Sequence, residues 1–174
     1  IVTPALGEDR TQGGTAIRQP LDNLNNAGLV YNSIIYNKAP VMLEKLIDIM
    51  GEEAFREGIH EYLTTYAYGN ASWGDLIKIL DEKSENNLAQ FSDVWVNSKG
   101  MPFIDLSIEA DTLIVRQSDP YGRGLQWQQS FGVRLVGDNV SDIEVTMNSR
   151  ISKIPSSSWK ILPERLMLLQ TSRI

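Results

Sequence analysis

The chain has 174 residues, one histidine, no cysteine and a formal net charge of −6 at pH 7. This length can bury one large core or two small ones, and the composition is that of a soluble globular protein. The acidic balance without a Lys/Arg cluster argues against nucleic acid as a partner, no apolar run reaches the roughly 20 residues of a membrane segment, and disulfides and thiolate zinc sites are excluded.

Glycine, proline and asparagine are frequent in residues 1–28, which lack hydrophobic periodicity and predict an irregular lead-in. The chain begins at Ile1 without an initiating Met, so we expect a processed product or a piece of a longer protein. Over residues 29–50 apolar side chains recur at helical spacing until Gly51. Because Pro40 lies inside this pattern, we expect it to kink the helix or to divide it in two.

Three further amphipathic helices are predicted before residue 100. The first spans about residues 52–66 and begins with two glutamates, whose charges favour a helix start. The second begins at Ser72, which opens a Ser-x-x-acid capping pattern. The third covers residues 88–95 and is closed by Gly100.

After Pro102 the hydrophobic pattern changes from a period of about 3.6 residues to a period near 2. Alternating segments separated by Asp, Asn, Gly and Pro turns are typical of half-buried strands. These segments are residues 103–108, 112–116, 130–136, 143–147 and 159–162. We therefore predict an α+β fold with an all-α segment over residues 1–100 and a small antiparallel β-sandwich over residues 101–174, whose tail from Pro163 fits neither pattern.

The lone histidine, His60, is followed by Glu61, as at the start of a His-Glu-x-x-His zinc motif. Position 64 is Thr, so the second imidazole that would share the metal one turn later is absent. No serine has the sequence context of a nucleophile, and His60 would be the only available base. A conventional catalytic zinc site cannot be assembled from these residues, and we predict that His60 is an exposed helical residue.

Two tyrosines, Tyr31 and Tyr36, lie five residues apart in the first predicted helix. Five residues turn a helix by about 500°, so the two rings are offset by roughly 140° and cannot share one face. A phenol at the edge of a cleft can donate a hydrogen bond to a developing oxyanion, but tyrosines at helix starts usually pack with the hydroxyl at the surface. Spacing alone favours the packing role.

Four blocks of sequence resemble one family in the same order. Tyr36-Asn-Lys38-Ala39 is similar to the Tyr-x-Lys-Gly signature of the aminopeptidase N-like zinc metallopeptidases, the gluzincin aminopeptidases. The later blocks are residues 51–63, 68–76 and 95–102. The resemblance covers roughly residues 15–105 and departs from the signature where Ala39 replaces Gly and precedes Pro40.

The resemblance implies that the chain is the downstream half of the helical lobe of a thermolysin-like catalytic domain, joined to the β-sandwich domain that follows it. Tyr36 would then point at the scissile carbonyl across from the zinc and stabilise the tetrahedral intermediate, with Tyr31 as a substrate-binding neighbour. The zinc ligands and the general base lie upstream in this family. We therefore expect zinc in the full-length parent, an inactive isolated chain, and as partners a peptide substrate and the upstream part of the same domain.

The alternative is a non-catalytic module in which the helices and the sandwich bind a protein or a glycan and both tyrosines pack. Exposed tryptophan rings would support such binding, since they can stack on sugars or peptides. The apolar patterns around Trp95, Trp127 and Trp159 instead favour core packing. A His-Glu-x-x-His motif encoded upstream would support the peptidase, whereas an unrelated upstream domain would support the module.

Overall fold

The computed structural model describes Asp9, residues 14–20, Asn23, Tyr36, residues 38–159 and residues 163–169. The chain divides into two compact units, Ile1–Met101 and Pro102–Ile174. The described elements of the first unit are helices, and those of the second are two three-stranded antiparallel sheets with one short 3₁₀ helix. The predicted fold class, a helical segment followed by a small antiparallel β-sandwich, is confirmed.

Within residues 38–101 the first unit has four α-helices. They are α1 (Ala39–Met50), α2 (Glu52–Thr65), α3 (Trp73–Asp81) and α4 (Leu88–Trp95). A single residue, Gly51, separates α1 from α2 and has a φ of 86°, a conformation that glycine adopts without steric cost. Apolar side chains from α1, α3 and α4 are buried together with Val96; they are Met42, Leu46, Ile77, Ile79, Leu80, Leu88, Phe91, Val94 and Trp95.

The start of α3 has the capping box that the sequence predicts. The Ser72 hydroxyl accepts a hydrogen bond from the backbone N–H of Asp75 at 3.3 Å, and the Asp75 carboxylate accepts one from the backbone N–H of Ser72 at 2.8 Å. Two of the N–H groups that a helix start leaves without an intrahelical partner are thereby satisfied. The Asn87 side chain caps α4 in a similar way by accepting from the backbone N–H of Gln90 at 2.8 Å.

Gly58 lies where α2 approaches α3, and it is the buried residue of α2. A Cβ atom added there would overlap the Cδ2 atom of Leu80, whose side chain is fully buried. We expect Gly58→Ala to lower the free energy of unfolding by about 1–3 kcal/mol, because overpacking outweighs the gain in helix propensity. Urea denaturation of the chain measures this. The matched control is Gly74→Ala in α3, where the nearest atom is the Ser72 Oγ at 3.6 Å; an equal loss in both variants would contradict the overpacking argument.

The second unit is built from six strands within its described residues. They are β1 (Phe103–Glu109), β2 (Thr112–Ser118), β3 (Gln129–Val136), β4 (Val140–Met147), β5 (Ile151–Pro155) and β6 (Arg165–Leu169). One sheet has the order β1-β2-β5 and the other β4-β3-β6, with antiparallel pairing throughout. The 3₁₀ helix Ser156–Ser158 follows β5 directly.

Side chains from both sheets form one hydrophobic core. Burial alternates along the whole of β3, as the period of 2 predicts, so that Phe131, Val133 and Leu135 face inwards. The central strand of the other sheet, β2, contributes Leu113 and Val115 to the same core. Two sheets that share their inner faces make this unit a sandwich.

The predicted strand at residues 159–162 is wrong at its first residue. Trp159 follows the 3₁₀ helix as a buried, non-strand residue, and residues 160–162 lie outside the described part. Conversely, β5 and β6 are strands that the sequence pattern missed. The first is short and ends in a proline, and the second contains four consecutive apolar residues, 166–169, whose run hides the period of 2.

Candidate active site around Tyr36

Tyr36 lies just before α1 and is exposed over 64% of its surface. Tyr36 and Lys38 both have π-helical backbone, and Pro40 occupies the first turn of α1. Because proline has no N–H, the carbonyl of Tyr36 four residues earlier has no α-helical donor. Turns of π-helix are rare and occur frequently at functional sites.

Two sequence predictions fall partly or wholly outside the described residues. Pro40 stands at the start of the described helix, since α1 begins at Ala39, and the earlier part of the predicted helix, residues 29–35, is not described. Tyr31, the predicted substrate neighbour, also lies outside the described residues.

Lys38 comes two positions after Tyr36, and its side chain is buried, with only 1% of its surface exposed. Its Nζ lies 2.8 Å from the Oδ2 of Asp9 and donates a longer hydrogen bond, 3.4 Å, to the carbonyl of Gly100. The other Asp9 oxygen, Oδ1, accepts from the backbone N–H of Gly100 at 2.9 Å. Asp9, Lys38 and Gly100 therefore contact one another, and we call them the Lys38 cluster.

In the Lys38 cluster the two Asp9 oxygens differ: Oδ2 faces the Lys38 ammonium as an ion pair without a directional hydrogen bond, whereas Oδ1 accepts from the Gly100 N–H. Removing two charges from water is costly, and their attraction offsets this only with good geometry and additional hydrogen bonds. The backbone N–H of Gly100 donates to Asp9, and its carbonyl accepts from Lys38. The φ of Gly100, 87°, is one that glycine adopts freely. The cluster joins positions 91 and 62 residues apart in the sequence, so it fastens three distant parts of the helical unit at one point.

The sequence contained only a weak signal for this cluster. Lys38 belongs to the Tyr-x-Lys block, but nothing in its spacing indicates that it is buried. Asp9 lies in a segment predicted to be irregular, and Gly100 was predicted only to end a helix. The signal that could have been used is the position of a charged residue immediately before an apolar helical run.

A second lysine of α1 also packs inwards. The Lys45 Nζ lies 5.6 Å from the centre of the Trp95 ring, within the range of a cation–π contact. Burial lowers the pKa of the Lys45 ammonium, and the carboxylates of Asp48 and Glu44 act in the opposite direction. Thus Lys45 helps to hold α1 against α4.

His60 is exposed on α2, as the sequence predicts. The backbone carbonyl of His60 accepts a hydrogen bond from the Thr64 hydroxyl at 2.8 Å, so the Thr64 side chain bonds to the backbone of its own helix. A surface depression runs along the same helix and is lined by Arg56, Glu57, His60, Glu61, Thr64 and Thr65. Among the described residues, no group of three or more His, Asp or Glu side chains is placed to hold a metal ion. This part of the chain therefore does not fit a catalytic zinc centre, which needs three such ligands.

The tryptophans are not arranged as a binding surface. Trp95, Trp127 and Trp159 are buried, with 1%, 0% and 6% of their surfaces exposed. The partly buried Trp73 donates from its indole N–H to the Ser92 hydroxyl at 2.8 Å. The predicted core role is confirmed for the three buried rings. Stacking on a glycan would require exposed ring faces, and these three rings are buried.

None of the helices in the described part of the chain combines the length and the apolar character that crossing a bilayer requires.

The helical unit presents one site candidate from the sequence, Tyr36, close in sequence to a buried ion pair. The Tyr36 side chain is largely exposed, and its backbone is π-helical.

Residues 2–95 match the profile of the family described as Peptidase family M1 domain. Aminopeptidase N of Lactococcus lactis subsp. cremoris (strain MG1363) is 28% identical over 153 residues, which cover 87% of this chain and 18% of that protein. Alanine/arginine aminopeptidase of Saccharomyces cerevisiae is 26% identical over 113 residues, or 65% of this chain and 13% of that protein. The chain thus spans less than about a fifth of the length of these curated relatives.

Among solved structures, aminopeptidase A of Legionella pneumophila in complex with aspartic acid is similar to this chain with a TM-score of 0.63. The superposition covers 82% of this chain and 17% of that one, at 15% sequence identity. At this identity the likeness concerns the fold alone. It includes more of the chain than the family profile, which ends at residue 95.

Proposed function

The chain belongs to peptidase family M1, and from this premise we propose that it is one segment of a zinc-dependent aminopeptidase that removes N-terminal residues from peptides. The observation that carries the proposal is the family match over residues 2–95, which includes Tyr36 and Lys38. The relatives named above are themselves called aminopeptidases. Because the chain spans 13% to 18% of their length, we propose that the activity belongs to a longer protein.

In this proposal the helical unit supplies one wall of the active site, and Tyr36 is its catalytic residue. Attack on a peptide carbonyl places negative charge on the carbonyl oxygen. A phenol that donates a hydrogen bond to this oxygen stabilises the transition state more than the ground state, which is what accelerates a reaction. The exposure of Tyr36 supports this role, because a phenol packed in the core could not reach a substrate. Tyr31 is proposed as its neighbour near the substrate.

The metal is assigned to another part of the full-length protein. The described residues do not fit a zinc centre, and the one histidine of the chain lies exposed on α2. When bound, zinc would polarise the carbonyl and activate water. What this chain contributes is a hydrogen-bond donor and the scaffold that holds it. We therefore propose that the isolated chain binds no catalytic zinc and hydrolyses no peptide.

The test compares the full-length protein with the isolated chain of 174 residues. Both are assayed with aminoacyl arylamides, with N-acetylated aminoacyl arylamides as the control substrate, and their zinc content is measured by elemental analysis. We expect the full-length protein to contain zinc and to hydrolyse only the substrates with a free α-amine, and the isolated chain to do neither. A full-length protein without aminopeptidase activity would refute the function, and an active, zinc-containing isolated chain would refute the assignment of the metal.

A further inference from the structure

The Lys38 cluster and the Tyr36 phenol lie on opposite faces of the same helical turn. Lys38 comes two positions after Tyr36 in sequence, and two positions turn an α-helix by about 200°. Lys38 points inwards with 1% of its side chain exposed, and Tyr36 is 64% exposed. The orientation of the turn about the helix axis that buries the Lys38 side chain therefore also exposes the Tyr36 side chain to solvent.

The usual α-helical hydrogen bond from residue 40 does not set this rotation. At Pro40 the chain lacks the N–H that would bond the Tyr36 carbonyl in an α-helix, and the turn is π-helical instead. The contact between Lys38 and Asp9, at 2.8 Å and with side-chain exposures of 1% and 0%, supplies a constraint from the side chain. Rotating the turn would draw the Lys38 ammonium away from Asp9 and leave each buried charge without its counter-charge, which is strongly unfavourable.

The position of an oxyanion donor matters because it must lie about 2.7–3.1 Å from the oxygen that becomes charged. We infer that Asp9 and Lys38 are positioning residues for Tyr36: their buried ion pair, bonded to Gly100, fixes the rotation of the turn that carries the phenol. This inference rests on the proposed function, in which Tyr36 is the oxyanion donor. It assigns the lysine of the Tyr-x-Lys block an effect on turnover that it exerts through the tyrosine.

The test is a double-mutant cycle in the full-length protein, with kcat and KM measured on one aminoacyl arylamide well below the unfolding temperature of every variant. Lys38→Met is expected to lower kcat by up to about 100-fold with little change in KM, since a displacement of about 1 Å can cost that much. In a Tyr36→Phe background, Lys38→Met is expected to lower kcat no further, because no phenol remains to be positioned. A role limited to stability would leave kcat per folded molecule unchanged.

If Lys38→Met fails to fold, Asp9→Asn serves in the same cycle. The amide oxygen can still accept from the Gly100 N–H, while the ion pair is lost. The control is Lys83→Met, which breaks the half-exposed Lys83–Glu61 pair of 2.7 Å and should leave kcat unchanged.

The outcomes separate the two claims. An unchanged kcat in Tyr36→Phe would refute the catalytic role of Tyr36, and the inference with it. A lowered kcat in Tyr36→Phe together with a normal kcat in the cluster variants would overturn the inference alone. Equal effects of the cluster variants with and without the Tyr36 hydroxyl would also overturn it, because the loss would then act through something other than the phenol.

Discussion

Replacing Tyr36 with phenylalanine is expected to lower kcat of the full-length protein by about 100- to 1,000-fold, the usual cost of one oxyanion donor, or about 2.7–4 kcal/mol of transition-state stabilisation. The change removes only a hydroxyl from a side chain that is 64% exposed, so packing should hardly be affected. KM should change little if the hydrogen bond forms mainly in the transition state. Steady-state kinetics on aminoacyl arylamides measure both constants, with zinc content and circular dichroism as checks on the fold.

The control for this variant is Tyr68→Phe. Tyr68 is a fully exposed tyrosine of the same helical unit, beyond the end of α2, and has no role in the proposed chemistry. We expect its removal to leave kcat unchanged. Near-normal turnover of Tyr36→Phe would remove Tyr36 from the mechanism, and an equal loss in both variants would indicate a general effect of removing a surface hydroxyl.

The elements that the sequence predicted well are those whose signal is local. The capping box at Ser72 involves residues three positions apart, and the alternation along β3 is visible within eight residues. Both depend on geometry that is set within a few residues, so a short window of sequence is enough to predict them. β6 lacked such a signal, because its consecutive apolar residues fit a buried helix as well as a strand.

The candidate site was predictable only in its exposed member. Tyr36 could be proposed from the block that carries it, but the residues that hold its backbone turn could not. Lys38 contacts Asp9 and Gly100, which are 91 residues apart in sequence. Whether a lysine is solvated or buried in an ion pair depends on which distant groups the fold brings to it, and no local pattern encodes this.

The ion pair also makes a separate prediction for stability. Lys38→Met is expected to lower the free energy of unfolding by about 3–5 kcal/mol, because the fully buried Asp9 carboxylate would lose its counter-charge. Adding Asp9→Asn to Lys38→Met should restore a large part of this loss. The pair is then replaced by neutral groups of similar size, and such replacements of buried ion pairs are often close to neutral. Urea denaturation of the four members of the cycle measures the coupling.

The coupling between the two positions is what distinguishes a buried ion pair from two independent contributions. Independent residues give additive losses, whereas the pair predicts that the double variant is more stable than Lys38→Met alone. Lys83→Met provides the contrast, since its partner Glu61 is about half exposed to water and the variant should shift the unfolding midpoint little. If the double variant were less stable than either single one, the contact between Lys38 and Asp9 would not be the buried charge pair that the structure describes. The support for the turn at Tyr36 would then have to come from the packing of α1.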